Sequence, residues 1–439
     1  MSPWELTALG NGSYDASAML GQPLLLPLAV LQGMLLPAAV RLTSPREGAG
    51  AAAGRLDFWN TIGGILGALA AGFWWIPAMN VQNALFLTIS LCAASGSVLM
   101  SRHARLPRWR WGAPAFAAAA LALMWSSFAG HPLPKKVLLD WLNRSPDSRT
   151  EFLFYADDPE ASVAVPSPAR RLIINGVGVA GFTNATKMLA HIPLLLHPRP
   201  QRVLIICFGM GTTFRSALSH QVDVEVVDLV PSVFETFHFF YPDARIRAAD
   251  PRAKRFVDDG RNHLLRSRGG YDVIIVDPSP PLYAAGTVNL YSRDFFELAR
   301  RRLRPGGILS VWLPEYPEPD FKMVMKSFTS AMPQTQFWLG TAERGGLVML
   351  GSEAPLALDR TRVRERMKDP ALRSDMHELN GEFESTEGFW KLRLGSGESF
   401  RDYLSDSPEI TDDSPRLEYP YYRAMTPAYF KHPAILAGR

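Results

Sequence analysis

The stretch Gln201 to Leu229, QRVLIICFGMGTTFRSALSHQVDVEVVDL, limits the fold more than any other part of the chain. Val203 to Cys207 is a short apolar, β-branched run, long enough for a buried parallel strand and too short for a helix. Gly209 and Gly211 follow, where a tight turn and a close approach of backbone to a ligand need residues without a side chain. Thr212 and Thr213 are good capping residues for a helix through Phe214 to Ser219. A second strand, Val222 to Val227, ends at Asp228, about twenty residues after the glycines. A carboxylate there can accept hydrogen bonds from both hydroxyls of a ribose while the glycine loop lies beneath the rest of a nucleoside. Strand, glycine loop, helix and acid-tipped strand in this order predict a nucleoside-binding site with Gly209, Met210 and Gly211 in its loop.

The same rhythm continues. Pro231 to Tyr241 reads as helix, and Arg255 to Val257 as a strand ending in Asp258, Asp259 and Gly260. Asn262 to Arg266 reads as helix, and Tyr271 to Val276 as a strand delivering Asp277 to its end. Phe295 to Leu303 is helical, and Pro305-Gly306-Gly307 turns into a strand over Ile308 to Leu313. Alternating strands and helices predict a doubly wound, Rossmann-like α/β sheet with its ligand over the carboxyl ends of the strands. There Asp259 can meet an adenine amino group, with Gly260 beside it, and Asp277 faces the reacting centre. Each acid alone can be a helix cap or a solvated turn; three at successive strand ends argue for a site.

The first 130 residues are of another kind. Met19 to Val40, Leu56 to Pro77 and Val81 to Met100 are apolar over a membrane-spanning length, and Trp111 to Gly130 is a weaker, alanine-rich fourth. Gly63, Gly67 and Ala71 recur every fourth residue, a spacing that lets helices pack closely in lipid. No charge lies deep in a span, so the region reads as an anchor rather than an ion pathway. Arginines follow the first and third spans, which places those loops in the cytoplasm. The side of the large domain then depends on whether the fourth segment spans, and Lys135 and Lys136 lean it towards the cytoplasm.

Net charge is +4 with arginine spread along the chain, and no basic block interleaved with aromatics argues for nucleic acid. Cys92 and Cys207 each sit in an apolar run and suggest neither a disulfide framework nor a metal site. The expected organisation is a transmembrane helical region over 1–130 and a linker over 131–150. A small antiparallel β subdomain over 151–186, the nucleoside-binding α/β domain over 187–350 and a helical or irregular C-terminal extension over 351–439 complete it. The helix Lys187 to Leu196 leads into the central strand, and its His191 reads as structural. Pro278 to Ser292, PSPPLYAAGTVNLYS, reads as a lid whose Tyr283 and Tyr291 can contact substrate, although Tyr291 can equally pin the following helix.

The ordered motifs ING, MLAHIPL, VLIICFGMGTT, VVDLVPSV, DDGRN, YDVIIVDPSPP, LYSRDFF and LRPGGILSVWLP resemble the spermidine synthase family. PAAVRL, RLDFWNTIGGILGALAAGF and TDDSPRLEYP resemble the branch in which that domain is fused to a membrane segment. The resemblance implies aminopropyl transfer from decarboxylated S-adenosylmethionine to an amine acceptor, no metal, and a homodimer, in the cell (inner) membrane. It gives Asp228 the ribose, Asp259 the adenine, and Asp277 the role of base near the attacking nitrogen. The amine half departs from the family. Met210 and Pro280 stand where the family has acids that hold the two cationic amines, and Ala185 and Lys187 replace its tyrosine and glutamate. Three readings stay open: an aminopropyltransferase with altered acceptor, a methyltransferase using S-adenosylmethionine with Lys187 or Arg215 on its carboxylate, and a non-catalytic nucleoside-binding or transport accessory protein.

Overall fold

The computed structural model describes residues 30, 33–41, 48–103, 109–128, 150–168, 170–181, 183–278, 285–341, 346–378, 385–418 and 433–436. The chain divides into two compact units, Met1–Ala169 with Ile173–Gly178, and Arg170–Leu172 with Val179–Arg439. The linker expected over 131–150 falls almost wholly outside the described residues, as does most of the first expected span.

In the first unit, helix α1 (Ala49–Ala70) runs through a π-helical segment (Ala71–Trp75) into α2 (Ile76–His103). The backbone breaks at Asn80, whose φ of 69° and ψ of 166° leave the helix; its side-chain oxygen accepts from the Asn83 amide at 3.0 Å and restarts it. The break falls between the apolar stretches Leu56 to Pro77 and Val81 to Met100, and the limbs on either side, residues 49–79 and 81–103, are each longer than the roughly 20 residues that hydrocarbon thickness requires. Ala49–Val98 is long and apolar enough to cross a membrane. Its outer face is apolar too: Phe73 and Trp74 are 73% and 75% exposed. Helix α3 (Trp109–Phe128) packs on α2 through an edge-on contact of Phe86 with Trp125, ring centres 5.5 Å apart, and through the Trp125 indole donating to Ser90 Oγ. A four-stranded sheet follows, β1 (Glu151–Asp157), β2 (Ser162–Ser167), β3 (Leu172–Ile174) and β4 (Val177–Ala180), neighbours in chain order.

The second unit is built on an eight-stranded sheet. Helix α4 (Asn184–Leu196) leads into β5 (Arg202–Ile206), followed by α5 (Thr212–Leu218) and β6 (Asp223–Asp228). Short helices α6 (Pro231–Glu235), α7 (Phe237–Phe240) and α8 (Ala244–Ala248) precede β7 (Ala253–Val257). Then come α9 (Gly260–Arg266), β8 (Tyr271–Val276), α10 (Ala285–Val288), α11 (Arg293–Arg302) and β9 (Leu303–Leu313). The chain continues through α12 (Glu318–Ala331), β10 (Gln334–Leu339) and β11 (Leu347–Ser352). It ends in α13 (Arg360–Arg366), α14 (Pro370–His377), α15 (Thr386–Lys391) and β12 (Arg393–Ser396).

The order across the sheet is β12-β10-β11-β9-β8-β5-β6-β7. Strands β7, β6, β5, β8 and β9 are parallel and the remaining three antiparallel. Buried on both faces, β5 and β8 read as continuous apolar runs, the composition a central parallel strand needs.

Three details differ from what the sequence leads one to expect. Strand β9 begins at Leu303, so Pro305-Gly306-Gly307 lies inside it. The register jumps from Tyr271↔Leu303 to Val273↔Ile308, and Gly306, at φ 79°, absorbs the extra residues as a bulge. The helix expected over Pro231 to Tyr241 splits at Thr236, whose hydroxyl bonds back to the Val233 carbonyl at 2.8 Å. The extension, expected to be helical or irregular, contributes β12 to the sheet, and α15 packs Phe389 and Trp390 against Trp338.

Candidate active site

The parallel ladder itself lines up the acids. Ile206 of β5 pairs with Val227 on one side and Val276 on the other, so Asp228 and Asp277 leave the sheet at one level, flanking the glycine loop. The Cys207 amide donates to the Val227 carbonyl and the Asp277 amide to the Ile206 carbonyl, at 2.9 and 3.0 Å, which ties the three strand ends together. One strand further out, the Asp258 amide donates to the Asp228 carbonyl at 3.0 Å and carries Asp259 to the same edge. With strands about 4.8 Å apart, Asp228 and Asp277 sit about 10 Å from each other across the loop.

The loop uses the left-handed backbone region at Cys207, Gly209 and Gly211, with φ of 73°, 55° and 79°. Gly211 is required twice over, since a Cβ there would stand 2.5 Å from the Phe237 ring. Above Gly209, by contrast, an added Cβ meets nothing within 4 Å, so the loop presents open backbone where a ligand can lie. Gly260 is held by packing: its Cβ would fall 2.3 Å from Ile206 Cγ2. Any larger residue would push the turn carrying Asp259 off the end of β5. Met210 is buried with the core.

Asp228 is anchored by the loop it faces. Its Oδ2 accepts from the Phe208 amide at 2.8 Å and its Oδ1 from the Val230 amide at 3.0 Å. Burial pushes its carboxyl up, and the backbone donors partly offset this. Each oxygen retains a second lone pair, which suits a pair of vicinal hydroxyls. Asp259 caps α9, its Oδ1 accepting from the Asn262 amide at 2.7 Å, so the cap and the proposed ligand contact use the same side chain.

Asp277 is set differently. It is half-buried, burial pushes its carboxyl up to about 7, and a hydrogen bond from Thr213 Oγ1 at 3.0 Å partly offsets the burial. A carboxyl that titrates near neutrality is matched to taking a proton from a reacting group. Thr212 and Thr213, expected as helix caps, do other things: Gly211 is the capping position, Thr212 Oγ1 bonds the Tyr241 hydroxyl at 2.6 Å, and Thr213 reaches Asp277. The Thr213–Asp277 contact has no signature in the sequence spacing.

The remaining residues expected at the substrate divide. Tyr291 is fully buried, donates to the Trp312 carbonyl at 2.8 Å, and burial pushes its phenol well above the ordinary value. That bond ties the turn before α11 to β9. Tyr283 and Pro280 lie outside the described residues.

Lys187 is drawn away from the substrate position expected for it. It is buried and paired with Asp375 at 3.0 Å and Glu378 at 2.8 Å. Arg215 joins the same acids, at 2.8 Å to Asp375 and 2.6 Å to Glu378, and also binds Asp243. His191 completes the cluster, its Nε2 2.9 Å from Asp375 and its Nδ1 2.9 Å from His220 Nε2, and Ser216 Oγ donates to Asp375 at 2.6 Å. Asp375 belongs to α14 and Glu378 follows it, so the C-terminal extension neutralises the cations of α4 and α5.

Residues 183–339 match the spermine/spermidine synthase domain. The chain is 34% identical over 134 residues to spermidine synthase of Dictyostelium discoideum, covering 29% of this chain and 46% of that one. It is 36% identical over 124 residues to polyamine aminopropyltransferase of Bacillus subtilis (strain 168), covering 28% and 44%. Residues 183–339 thus form a domain of the spermidine synthase family. The chain spans about half the length of the curated relatives it matches, and the domain match over 183–339 includes the glycine loop and the strand-end acids. The crystal structure of spermidine synthase from Thermotoga maritima superposes with a TM-score of 0.45 at 20% identity, covering 58% of this chain and 87% of that one.

Proposed function

We propose that the chain is a membrane-anchored, spermidine synthase-like transferase that moves an aminopropyl group from decarboxylated S-adenosylmethionine to an amine whose grip differs from that of a diamine. The observation that carries this reading is Asp277: a half-buried carboxyl poised near neutrality, level with Asp228 and beside an open glycine loop. Asp228 would hold the ribose and Asp259 the adenine, with Gly209, Met210, Gly211 and Gly260 shaping the floor. The amine nitrogen attacks the propyl carbon next to the sulfonium, the C–S bond breaks, and methylthioadenosine leaves as a neutral thioether. Asp277 takes the proton the nitrogen must shed. The curated relatives carry the names spermidine synthase and polyamine aminopropyltransferase, which supports the reaction class.

The altered acceptor rests on what surrounds that base. Met210 and Ala185 are buried and apolar, and Lys187 is held in an ion cluster. None of the three offers an anion to a second ammonium. The methyltransferase reading needs Lys187 or Arg215 free to meet a ligand carboxylate, and both are saturated by Asp375, Glu378 and Asp243. Tyr283 and Tyr291 remain the proposed substrate-side residues of the lid, and a homodimer in the cell membrane the proposed assembly.

Calorimetric titration of the full chain with decarboxylated S-adenosylmethionine, S-adenosylmethionine and methylthioadenosine tests the proposal. Preference for the decarboxylated form is expected. Preference for the carboxylated form would move the assignment to methyl transfer, and binding of none would remove the enzyme reading.

A further inference from the structure

Thr213 Oγ1 lies 3.0 Å from Asp277 Oδ2 and 3.1 Å from the Thr186 carbonyl oxygen. A hydroxyl has one proton to give and two lone pairs with which to accept. Thr213 therefore cannot donate to both acceptors at once, and the protonation state of Asp277 decides which one it serves. With Asp277 ionised, the hydroxyl donates to the carboxylate. With Asp277 protonated, the carboxylic O–H donates to Thr213 Oγ1, and the threonine proton turns to Thr186.

We propose that Thr213 is a positioning residue that relays the proton state of Asp277 to the first turn of α4. This rests on the assignment of Asp277 as the base. No proton is lost in the relay: the one Asp277 takes from the amine stays on the carboxyl, the Thr213–Asp277 hydrogen bond reverses, and the threonine proton moves to the Thr186 carbonyl. The receiving turn is itself knit together, with Thr183 Oγ1 3.0 Å from Thr186 Oγ1 and Lys187 locked into the Asp375 cluster one residue on. The turn thus tightens towards α5 once the proton has moved.

Among the described residues, Tyr291 before α11 feels the charges of Tyr316 after β9, of Asp277 and of Cys207 at the end of β5. Tyr291 is pushed well above its ordinary value and stays neutral through the range in which Asp277 titrates. Asp228 stands on the far side of β5.

Thr186–Lys187 is the only Thr–Lys step in the sequence, so carbonyl-13C threonine with 15N lysine gives one NMR signal that reports the Thr186 carbonyl in the full chain. Carboxyl-13C aspartate, assigned with Asp277→Asn, reports Asp277. In the parent both signals are expected to titrate with one midpoint. Thr213→Val should raise the Asp277 midpoint by about one pH unit, a tenfold change in proton affinity, and flatten the Thr186 response, while Thr213→Ser restores both. A flat Thr186 signal in the parent, or an unmoved midpoint in Thr213→Val, overturns the relay. Neither readout uses turnover, so an Asp277→Asn variant that keeps its activity would sink the base assignment and leave the relay standing.

Discussion

Asp277 carries consequences for rate and for stability that run in opposite directions. A general base must be ionised, so turnover is expected to rise with pH through a midpoint near 7, where burial has placed the carboxyl. Asp277→Asn should lower the rate by about 100-fold or more while nucleoside binding persists; full activity in that variant would exclude the role. For stability, the folded carboxyl binds its proton more tightly than the unfolded one, whose ordinary value is 3.8. Folding therefore grows less favourable as pH rises from about 4 to 7 and levels off above. The asparagine variant should match the parent near pH 4 and exceed it near pH 8 by on the order of 2–4 kcal/mol in denaturant titrations. A second test at this scale is Gly260→Ala, whose Cβ would meet Ile206 Cγ2 at 2.3 Å. It should cost about 1–3 kcal/mol and weaken nucleoside binding by displacing Asp259; unchanged affinity would separate Asp259 from the ligand.

At the level of elements, the sequence shows β5, its glycine loop and the acid at the end of each following strand, because β-branched runs, glycines and terminal aspartates leave local signatures. What it hides is long-range. Lys187 and Arg215 look like free cations near the site until α14, some 160 to 190 residues later, brings Asp375 and Glu378 to them. The β9 bulge is hidden for a similar reason: Pro305-Gly306-Gly307 is a turn by composition and a strand irregularity only once β8 is beside it. Burial pushes the Asp375 carboxyl up, but the His191 hydrogen bond, the His191 and Lys187 charges and the Ser216 hydroxyl outweigh it and hold it well below the usual range. Its folded pKa lies below its unfolded one, so the stability it contributes is complete above about pH 5 and drains away as pH falls further. Asp375→Asn would remove the one buried carboxylate shared by Lys187, Arg215 and His191, leaving Glu378 and Asp243 to the two cations, and should cost about 3–5 kcal/mol, with the acid-unfolding midpoint moving to higher pH. An unchanged midpoint would mean that the extension does not brace α4 and α5.

At the scale of the whole molecule, the two units differ in the surfaces they present. The second buries the faces of its sheet under helices and has the apolar core of a water-soluble domain. The first turns Phe73, Trp74 and Leu66 outward along a helix with no charged residue between Asp57 and Val98. Exposure of that much apolar surface is stable in lipid and not in water, where contiguous patches beyond a few hundred Å² drive association. The Asn80 break makes the same point geometrically, since it divides a helix too long for one crossing into two limbs of spanning length. The full chain is therefore expected to stay with membranes through an alkaline carbonate wash and to need detergent for release. A chain starting at Thr150 should appear in the soluble fraction and retain nucleoside affinity, because every residue of the proposed site lies in the second unit. Release of the full chain by carbonate alone would remove the anchor. Loss of affinity in the soluble form would mean that the first unit contributes to the site.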